Sequence, residues 1–196
     1  MASPLNPITA MIVHAFIKRE LGEPLSYPGR ERYVTELMDS RLLAKAIEWA
    51  ANHSHDAAKN ETFNINNGDT VVLEGAYVKL ANHLNMPVAE PKMVELSNIM
   101  KDEKYDKVWQ EMVKKYGLQN LSLAEIVGQS WESFDAFVHS MGSSKRTLPT
   151  TQRMFAGQMM STIKLRQHGF HDMIDSEQML LRWVDELREQ NIVPAN

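Results

Sequence analysis

The stretch Phe63-Asn64-Ile65-Asn66-Asn67-Gly68-Asp69 organises the chain around one tight turn. Its last four residues are of types that tolerate a left-handed backbone or hydrogen-bond to their own main chain, and they predict a turn. Residues 62–65, just before the turn, have the pattern of a short strand. A helix is predicted after the turn from an apolar stripe at helical spacing. The stripe consists of Leu73, Ala76, Tyr77, Leu80 and Leu84.

Three other helices are indicated, two of them by side chains that can cap a first turn. Asn6 precedes Pro7, which suits the first helical position because that position needs no N–H donor. Asp39 stands before a second amphipathic stripe. Asp175 stands before a third, with Gln178 placed to complete a capping box. These signals predict helices that begin after residues 6, 39 and 175.

The rest of the chain is helical in pattern and poor in strands. Residues 93–141 have the spacing of several helical pieces, and residues 154–167 that of a helix broken around Gly157. An isolated pair of strands is marginal in water, so short strands need neighbours in a larger sheet. We therefore predict a mainly α fold with two or three short strands (α+β).

Composition excludes several classes of function. The 196 residues carry a net charge of −4, whereas nucleic-acid binding needs concentrated Lys and Arg. No apolar run approaches the roughly 18 residues of a membrane helix. The absence of cysteine excludes disulfides, thiolate nucleophiles and Cys-ligated zinc. Together with the lack of a secretory signal, these features predict a cytoplasmic protein with no nucleic-acid or membrane partner.

Neither a dinucleotide site nor a metal site is predicted within this chain. The nine glycines are scattered and never form the Gly-x-Gly-x-x-Gly turn that brings backbone N–H groups to a pyrophosphate. The histidine pairs His53/His55 and His168/His171 fall short of the three or four convergent ligands of a zinc site. We expect a solvent-exposed loop for the first pair and a helix end for the second.

Three ionisable residues are candidates for acid–base chemistry. Asp135 and His139 are four residues apart, so they can touch on one face of a helix. Phe134 and Phe137 flank them and favour partial burial. His14, in the first predicted helix, is the third candidate. The alternative for the Asp135–His139 pair is an ordinary surface ion pair.

A dense set of aromatic and methionine side chains is the stronger functional lead. Such a set can line an apolar ligand pocket, and methionine adapts well to apolar ligands. The alternative is ordinary core packing. The set contains Trp131, Phe134, Phe137, Met154, Phe155, Met159 and Met160.

Taken together, these segments resemble the C-terminal half of the progesterone 5β-reductase and iridoid synthase-like group, an atypical branch of the extended short-chain dehydrogenases. Residues 59–69 are similar to the family stretch Asn-Glu-x-Phe-Asn-x-x-Asn-Gly-Asp, the most specific of the matches. Residues 25–29 resemble Leu-x-Phe-Pro-Gly, with Tyr27 in place of Phe. Residues 161–170 resemble Ser-x-x-Lys-x-x-x-x-Gly-Phe. Thr70 to Leu73 depart from the aromatic-rich helix start of the family.

The resemblance implies half of a two-part fold. Residues 1–86 correspond to the last part of the dehydrogenase core, and residues 87–196 to a helical substrate-pocket or lid region with the C-terminal helix, packed as one compact domain. The preceding half of the family supplies the NADP(H) site and the catalytic Tyr and Lys. We therefore expect no complete Rossmann fold and no cofactor for this chain alone, and NADP(H) only if a Rossmann half is supplied.

The resemblance also implies which residues meet the substrate. An apolar enone, a terpenoid or a steroid-like molecule is the expected ligand. The residues carried over from the family as substrate-facing are Met154, Phe155, Met159 and Met160. Weaker candidates are Met11, Trp131 and Phe134.

Three functional hypotheses follow. The first is the substrate-binding part of a truncated or split reductase, without redox activity alone and paired with a Rossmann-half polypeptide. The second is a free-standing, cofactor-independent isomerase or cyclase that uses Asp135, His139 or His14. The third is a binding module that forms a homodimer through the apolar surface left uncovered. The first is preferred, and the third is compatible with both others.

Overall fold

A computed structural model of the chain describes residues 6–29, 32–128, 130–139, 155–157 and 159–195. More than half of the described residues are helical. The helices are α1 (Pro7–Glu20), α2 (Ser40–Asn52), α3 (Leu73–His83), α4 (Leu96–Met100), α5 (Glu103–Tyr116), α6 (Leu123–Val127), α7 (Ser130–His139), α8 (Ile163–Gln167) and α9 (Ser176–Glu189). The strands are β1 (Leu25–Ser26), β2 (Arg32–Thr35), β3 (Val71–Val72), β4 (Val88–Ala89) and β5 (Phe155–Gly157).

The strands form two small sheets. In one, β1 pairs with β4 in parallel. In the other, β2 lies between β3, to which it is antiparallel, and β5, to which it is parallel. Parallel strands normally belong to larger, covered sheets. The predicted fold class, mainly α with short strands and without a complete Rossmann fold, is confirmed.

Helix α1 is the centre of the main core. Residues 9–17 are buried without interruption, which is the pattern of a helix that is covered on all sides. It packs against α3, α5, α6, α7 and β1. The predicted cap is confirmed, because the Oδ1 atom of Asn6 accepts a hydrogen bond from Ile8 N at 3.1 Å and Pro7 is the first helical residue.

A second, smaller hydrophobic cluster lies under α2 and α8. Its aromatic centre is Trp49, whose ring meets Phe63 edge-on at 5.7 Å between centroids and Phe170 at 5.8 Å. The cluster is distinct from the main core around α1. Its buried members are Leu42, Ala46, Leu165 and Phe170, with Trp49, Phe63, Ile65 and Ile174 partly buried around them.

Two predicted elements are wrong. Residues 62–65 are not a strand. Their apolar side chains pack into the second cluster, and the amide of Asn64 donates to Ser161 O at 3.1 Å. The predicted helix at 154–167 is replaced in its first part by β5, which pairs with β2 at a distant point of the sequence, and α8 begins only at Ile163. In both cases a partner remote in sequence decides the backbone conformation.

The side chain of Asn67 joins the two clusters. It is fully buried, and its Oδ1 atom accepts a hydrogen bond from Asp39 N at 2.7 Å at the start of α2. Its Nδ2 atom donates to Ser176 Oγ at 3.0 Å at the start of α9. Its backbone N–H donates to Leu37 O at 2.8 Å, and its carbonyl accepts from Ile174 N at 2.9 Å. One residue therefore connects the end of β2 with the beginnings of two helices.

The neighbours of Asn67 complete the turn. The Oδ1 atom of Asn66 accepts from Gly68 N at 2.9 Å, and Gly68 has φ +100°, a conformation that favours glycine. The carboxylate of Asp69 accepts from Ser176 N at 2.8 Å and from Ser176 Oγ at 2.5 Å. The Asn-Asn-Gly-Asp motif that the sequence presents as a turn is therefore a structural junction.

No helix in the described part of the chain has both the length and the apolar character that crossing a bilayer would require.

We expect Asn67→Ala to lower the free energy of unfolding by about 2–4 kcal/mol, because it leaves several buried polar groups without partners. The matched control is Asn64→Ala, which removes one exposed amide hydrogen bond and should cost less than about 1 kcal/mol. Urea unfolding followed by tryptophan fluorescence measures both changes. Equal losses for the two variants would contradict a junction role for Asn67.

Candidate functional site

Two of the predicted substrate-facing residues, Met11 and Phe134, line one apolar cavity at the start of α1. Its volume is about 10 Å³, which is room for about one water molecule. A terpenoid or a steroid does not fit into this space. The lining residues are Pro7, Ile8, Met11, Leu37, Val71, Leu73, Ala76, Phe134, Ser176 and Leu180.

Met159 and Met160 lie elsewhere, on the surface. Their exposed fractions are 71% and 51%. The backbone N–H of Met160 donates to Glu36 Oε2 at 2.7 Å, and its carbonyl accepts from the amide of Asn66 at 3.4 Å. These contacts hold the segment against the outer side of the Asn66–Gly68 turn.

The remaining apolar candidates divide between the core and the undescribed part of the chain. Trp131 is buried in the main core. Phe155 is in β5, where its backbone pairs with Arg32, but its side chain lies outside the described part. Met154 lies outside the described residues. Contact of these residues with a substrate therefore stays a prediction.

Asp135 holds a neighbouring helix. It is 8% exposed, and its two carboxylate oxygens accept from Leu96 N at 2.8 Å and Ser97 N at 2.7 Å. The carboxylate thus satisfies backbone donors in the first turn of α4. The side chain of His139, its predicted partner, lies outside the described part of α7.

His14 is enclosed in the core beside Tyr77. The two rings are 6.4 Å apart between centroids, and both residues are almost completely buried. Within the described residues, neither ring nitrogen of His14 nor the hydroxyl of Tyr77 has a hydrogen-bond partner. Burial, assisted by the charge of Lys18, lowers the pKa of His14 to about 3. The imidazole is therefore neutral at physiological pH and has no direct route to solvent.

The hydroxyl of Tyr77 is also held in its neutral form. Burial raises its pKa well above the ordinary value, and the nearby Tyr27 and Asp135 raise it further. Tyr27 meets Tyr77 edge-on at 5.6 Å between ring centroids. A tyrosine in this state is a hydrogen-bond donor and a poor base.

A larger, polar cleft of about 230 Å³ lies at the C-terminal ends of α1 and α5. Glu20 within it accepts from Lys115 at 2.6 Å and from the hydroxyl of Tyr116 at 2.7 Å. Burial opposes the charge of Glu20, but these hydrogen bonds outweigh it and lower the pKa of the carboxyl. Basic side chains at helix C-termini complement the helix dipoles, which accounts for Lys115 and Arg19 without a ligand.

No group of three or more His, Asp or Glu side chains in the described ranges is arranged to hold a metal ion.

Three further apolar residues that the sequence patterns did not single out are also exposed. They are Met38, Ile163 and Met173, with exposed fractions of 46%, 63% and 60%. We call the five together the methionine surface. None of the three belongs to an apolar stripe, so no periodic pattern in the sequence marks them. Of the five, Met38 directly follows Leu37, which lines the small cavity.

No model of a known protein family matches the chain. It is similar to an (S)-8-oxocitronellyl enol synthase of Antirrhinum majus, at 30% identity over 98% of this chain and 46% of that protein. It is 29% identical to a 3-oxo-Delta(4,5)-steroid 5-beta-reductase of Arabidopsis thaliana, again over 98% of this chain and 46% of that protein. An (S)-8-oxocitronellyl enol synthase of Nepeta cataria is 28% identical over 99% of this chain and 46% of its own length.

The chain thus spans slightly less than half the length of the relatives that it matches. The match covers almost all of this chain. The resemblance drawn from residues 25–29, 59–69 and 161–170 is confirmed. This chain corresponds to the C-terminal half of the iridoid synthase and progesterone 5β-reductase-like family.

Proposed function

We propose that this chain is the substrate-binding part of a reductase-like protein that acts on an apolar α,β-unsaturated carbonyl compound of the terpenoid or steroid type. It transfers no hydride by itself. The observation that carries this proposal is the match of nearly the whole chain to one half of enzymes named for such compounds. The methionine surface and the adjoining cavity supply apolar contacts for a ligand of that kind.

The described residues do not fit a dinucleotide cofactor. A pyrophosphate needs a helix start free of negative charge, usually reached through a glycine-rich turn. The two longest helices that follow strands in the described part, α2 and α3, each have a carboxylate at the start. Asp39 caps α2 and Glu74 lies in the first turn of α3. Hydride transfer is therefore assigned to no residue of this chain.

The size of the cavity indicates how a ligand is held. Because about 10 Å³ is far below the volume of a terpenoid, an apolar substrate must lie mainly outside it, against the surface near Leu37 and Met38. A small-molecule site normally buries most of its ligand. In this proposal, a second half covers the substrate and completes the site. The present chain then contributes shape, apolar contact and exclusion of water.

The geometry argues against a cofactor-independent isomerase or cyclase that uses Asp135 or His14. An acid–base group must come within hydrogen-bond reach of the proton that it moves. Asp135 is occupied by two backbone donors, and His14 is enclosed and neutral. Neither group faces the small cavity.

The main test is NADPH oxidation. We expect the chain alone to oxidise no NADPH with either progesterone or a terpenoid enal. We expect oxidation when the preceding half of the Antirrhinum majus protein is fused ahead of Asn6. Nicotinamide absorbance follows the reaction, and the preceding half alone is the control. Oxidation by the isolated chain would contradict the proposal, as would a folded fusion that turns over neither substrate.

The stability of the chain should fall on mild acidification because of His14. Its pKa is about 3 in the folded chain and near 6.5 when unfolded, so the unfolded chain takes up the proton first. The contribution of His14 is complete above pH 6.5 and declines as the pH falls towards 3. Relative to His14→Phe, we expect the wild type to lose about 2 kcal/mol between pH 6.5 and pH 5.

Urea unfolding of both proteins at several pH values measures this difference. Carboxyl groups with lowered pKa values, such as that of Asp39, affect stability only at a lower pH than this range, and both proteins contain them. Parallel stability profiles for the wild type and His14→Phe would contradict an enclosed, neutral His14.

A further inference from the structure

We infer that Asn67 and Gly68 form a site of covalent self-modification, at which the closed junction blocks deamidation and an opened junction undergoes it irreversibly. The junction is the turn at residues 66–69 together with the helix starts at Asp39 and Ser176. Asn-Gly is the dipeptide in which an asparagine amide is lost most readily, because glycine has no Cβ atom to hinder the approach of its nitrogen. The sequence contains one such pair, and it lies in this junction.

The reaction needs only water as a co-reactant. The backbone nitrogen of Gly68 forms a bond to Cγ of Asn67, the Cγ–Nδ2 bond breaks, and ammonia leaves with the proton that the glycine nitrogen gives up. The product is a succinimide. Water then adds to one of the two carbonyl carbons of this ring, the ring opens, and aspartate or isoaspartate remains at the position. No electron is gained or lost overall.

The closed junction keeps the attacking nitrogen occupied. The N–H of Gly68 donates to Asn66 Oδ1 at 2.9 Å, which holds its proton. The Cα atom of the same glycine is closely covered, because a Cβ atom there would lie 2.8 Å from Arg166 Nη2 and 2.9 Å from Met173 Cγ. Rotation of this peptide unit towards Cγ of Asn67 would therefore break a hydrogen bond and displace packed side chains.

The amide that would be attacked is held as firmly. Asn67 is fully buried, so water for hydrolysis does not reach it. Its Oδ1 atom accepts from Asp39 N at 2.7 Å, and its Nδ2 atom donates to Ser176 Oγ at 3.0 Å. Both bonds must break before Cγ can turn to the next nitrogen. The rate in the folded chain is then the rate of the open junction multiplied by the fraction of molecules in which it is open.

Conversion prevents the junction from closing again. Ser176 Oγ already donates its proton to Asp69 Oδ1 at 2.5 Å, so it has none for a carboxylate in place of the Asn67 amide. The new charge would face Asp69 across the same hydroxyl, and an uncompensated buried charge is strongly destabilising. Isoaspartate would also lengthen the main chain at the residue whose N–H donates to Leu37 O and whose carbonyl accepts from Ile174 N.

Deamidation of the whole chain at mildly alkaline pH, with and without denaturing guanidinium chloride, tests the block. Peptide mass spectrometry counts both products at Asn67 over time. We expect the folded chain to react at least about a hundredfold more slowly than the unfolded chain, because only the open fraction reacts. Folded and unfolded rates of similar size would overturn the inference.

A second Asn-Gly pair in the same molecule is the matched control. Glu61→Gly places it at Asn60, which is exposed. We expect this pair to react in the folded chain within about tenfold of its rate in guanidinium chloride, since it is open to water. Equal protection of the two pairs would also overturn the inference, because the junction would then give no protection of its own.

Two variants separate opening of the junction from unfolding of the whole chain. Ser176→Ala removes the acceptor of the Asn67 amide, whereas Val113→Ala leaves a cavity in the main core. We expect deamidation of Asn67 to rise about tenfold or more with Ser176→Ala and to change little with Val113→Ala. Rates that follow only the globally unfolded fraction of each variant, measured by guanidinium unfolding, would overturn the inference.

The wild type answers the same question if Ser176→Ala does not fold. Below the unfolding transition, local opening makes the rate rise less steeply with denaturant than global unfolding does, because less surface is exposed. A rate that rises as steeply as the globally unfolded fraction overturns the inference.

Irreversibility is tested on chain that has reacted fully in denaturant and is then returned to native buffer. Compared with chain exposed only briefly, we expect its folding equilibrium to shift by about tenfold or more towards the unfolded state. Recovery of the original equilibrium would overturn the irreversible step.

Discussion

The buried amide of Asn67 is the interaction on which the arrangement of the two hydrophobic clusters depends. Apolar burial is not directional, so packing alone does not fix how α2 and α8 sit against the body around α1. The amide has directional bonds to Asp39 at one helix start and to Ser176 at another. Arg41 reinforces the same junction, because it pairs with both Asp39 and Glu186 and lies over the ring of Trp183 at 5.1 Å.

This constraint has a consequence for the outer side of the turn. Because the polar groups of Asn67 and Asp69 point inward to the helix starts, hydrogen bonding there is satisfied within the chain. The outer side is left to Asn66 and Gly68, which hold the Met160 segment and Met173 by backbone contacts and close approach. The residues of the stretch at 59–69 by which the chain resembles its relatives therefore act as structural residues.

Signals that act over a few residues predict this fold better than features that depend on residues remote in sequence. The caps expected at Asn6 and Asp175 act within one turn of their own helices, and both helices begin where expected. Helix α2 begins close to Asp39, as its stripe predicts. The strand predicted at 62–65 was wrong because Phe63 and Ile65 pack against residues of the second cluster that are remote in sequence. The strand β5 was missed because its partner β2 lies more than a hundred residues away. For the candidate site, the sequence marked Met159 and Met160 as part of an aromatic and methionine set. It did not mark Met38 or Met173, because only the fold brings them to the same turn.

The starts of helices α2 and α3 each carry a carboxylate, which bears on cofactor binding. Asp39 caps α2, and Glu74 lies in the first turn of α3, where a carboxylate favours the helix through its interaction with the N-terminal dipole. At the start of α2, the carboxylate of Asp39 already accepts from Arg41 N, a backbone donor of the kind that a pyrophosphate would need there. Within the core, His14 and Tyr77 are both held neutral by burial. The small cavity at the start of α1 differs from these helix starts, because all of its lining residues except Ser176 are apolar.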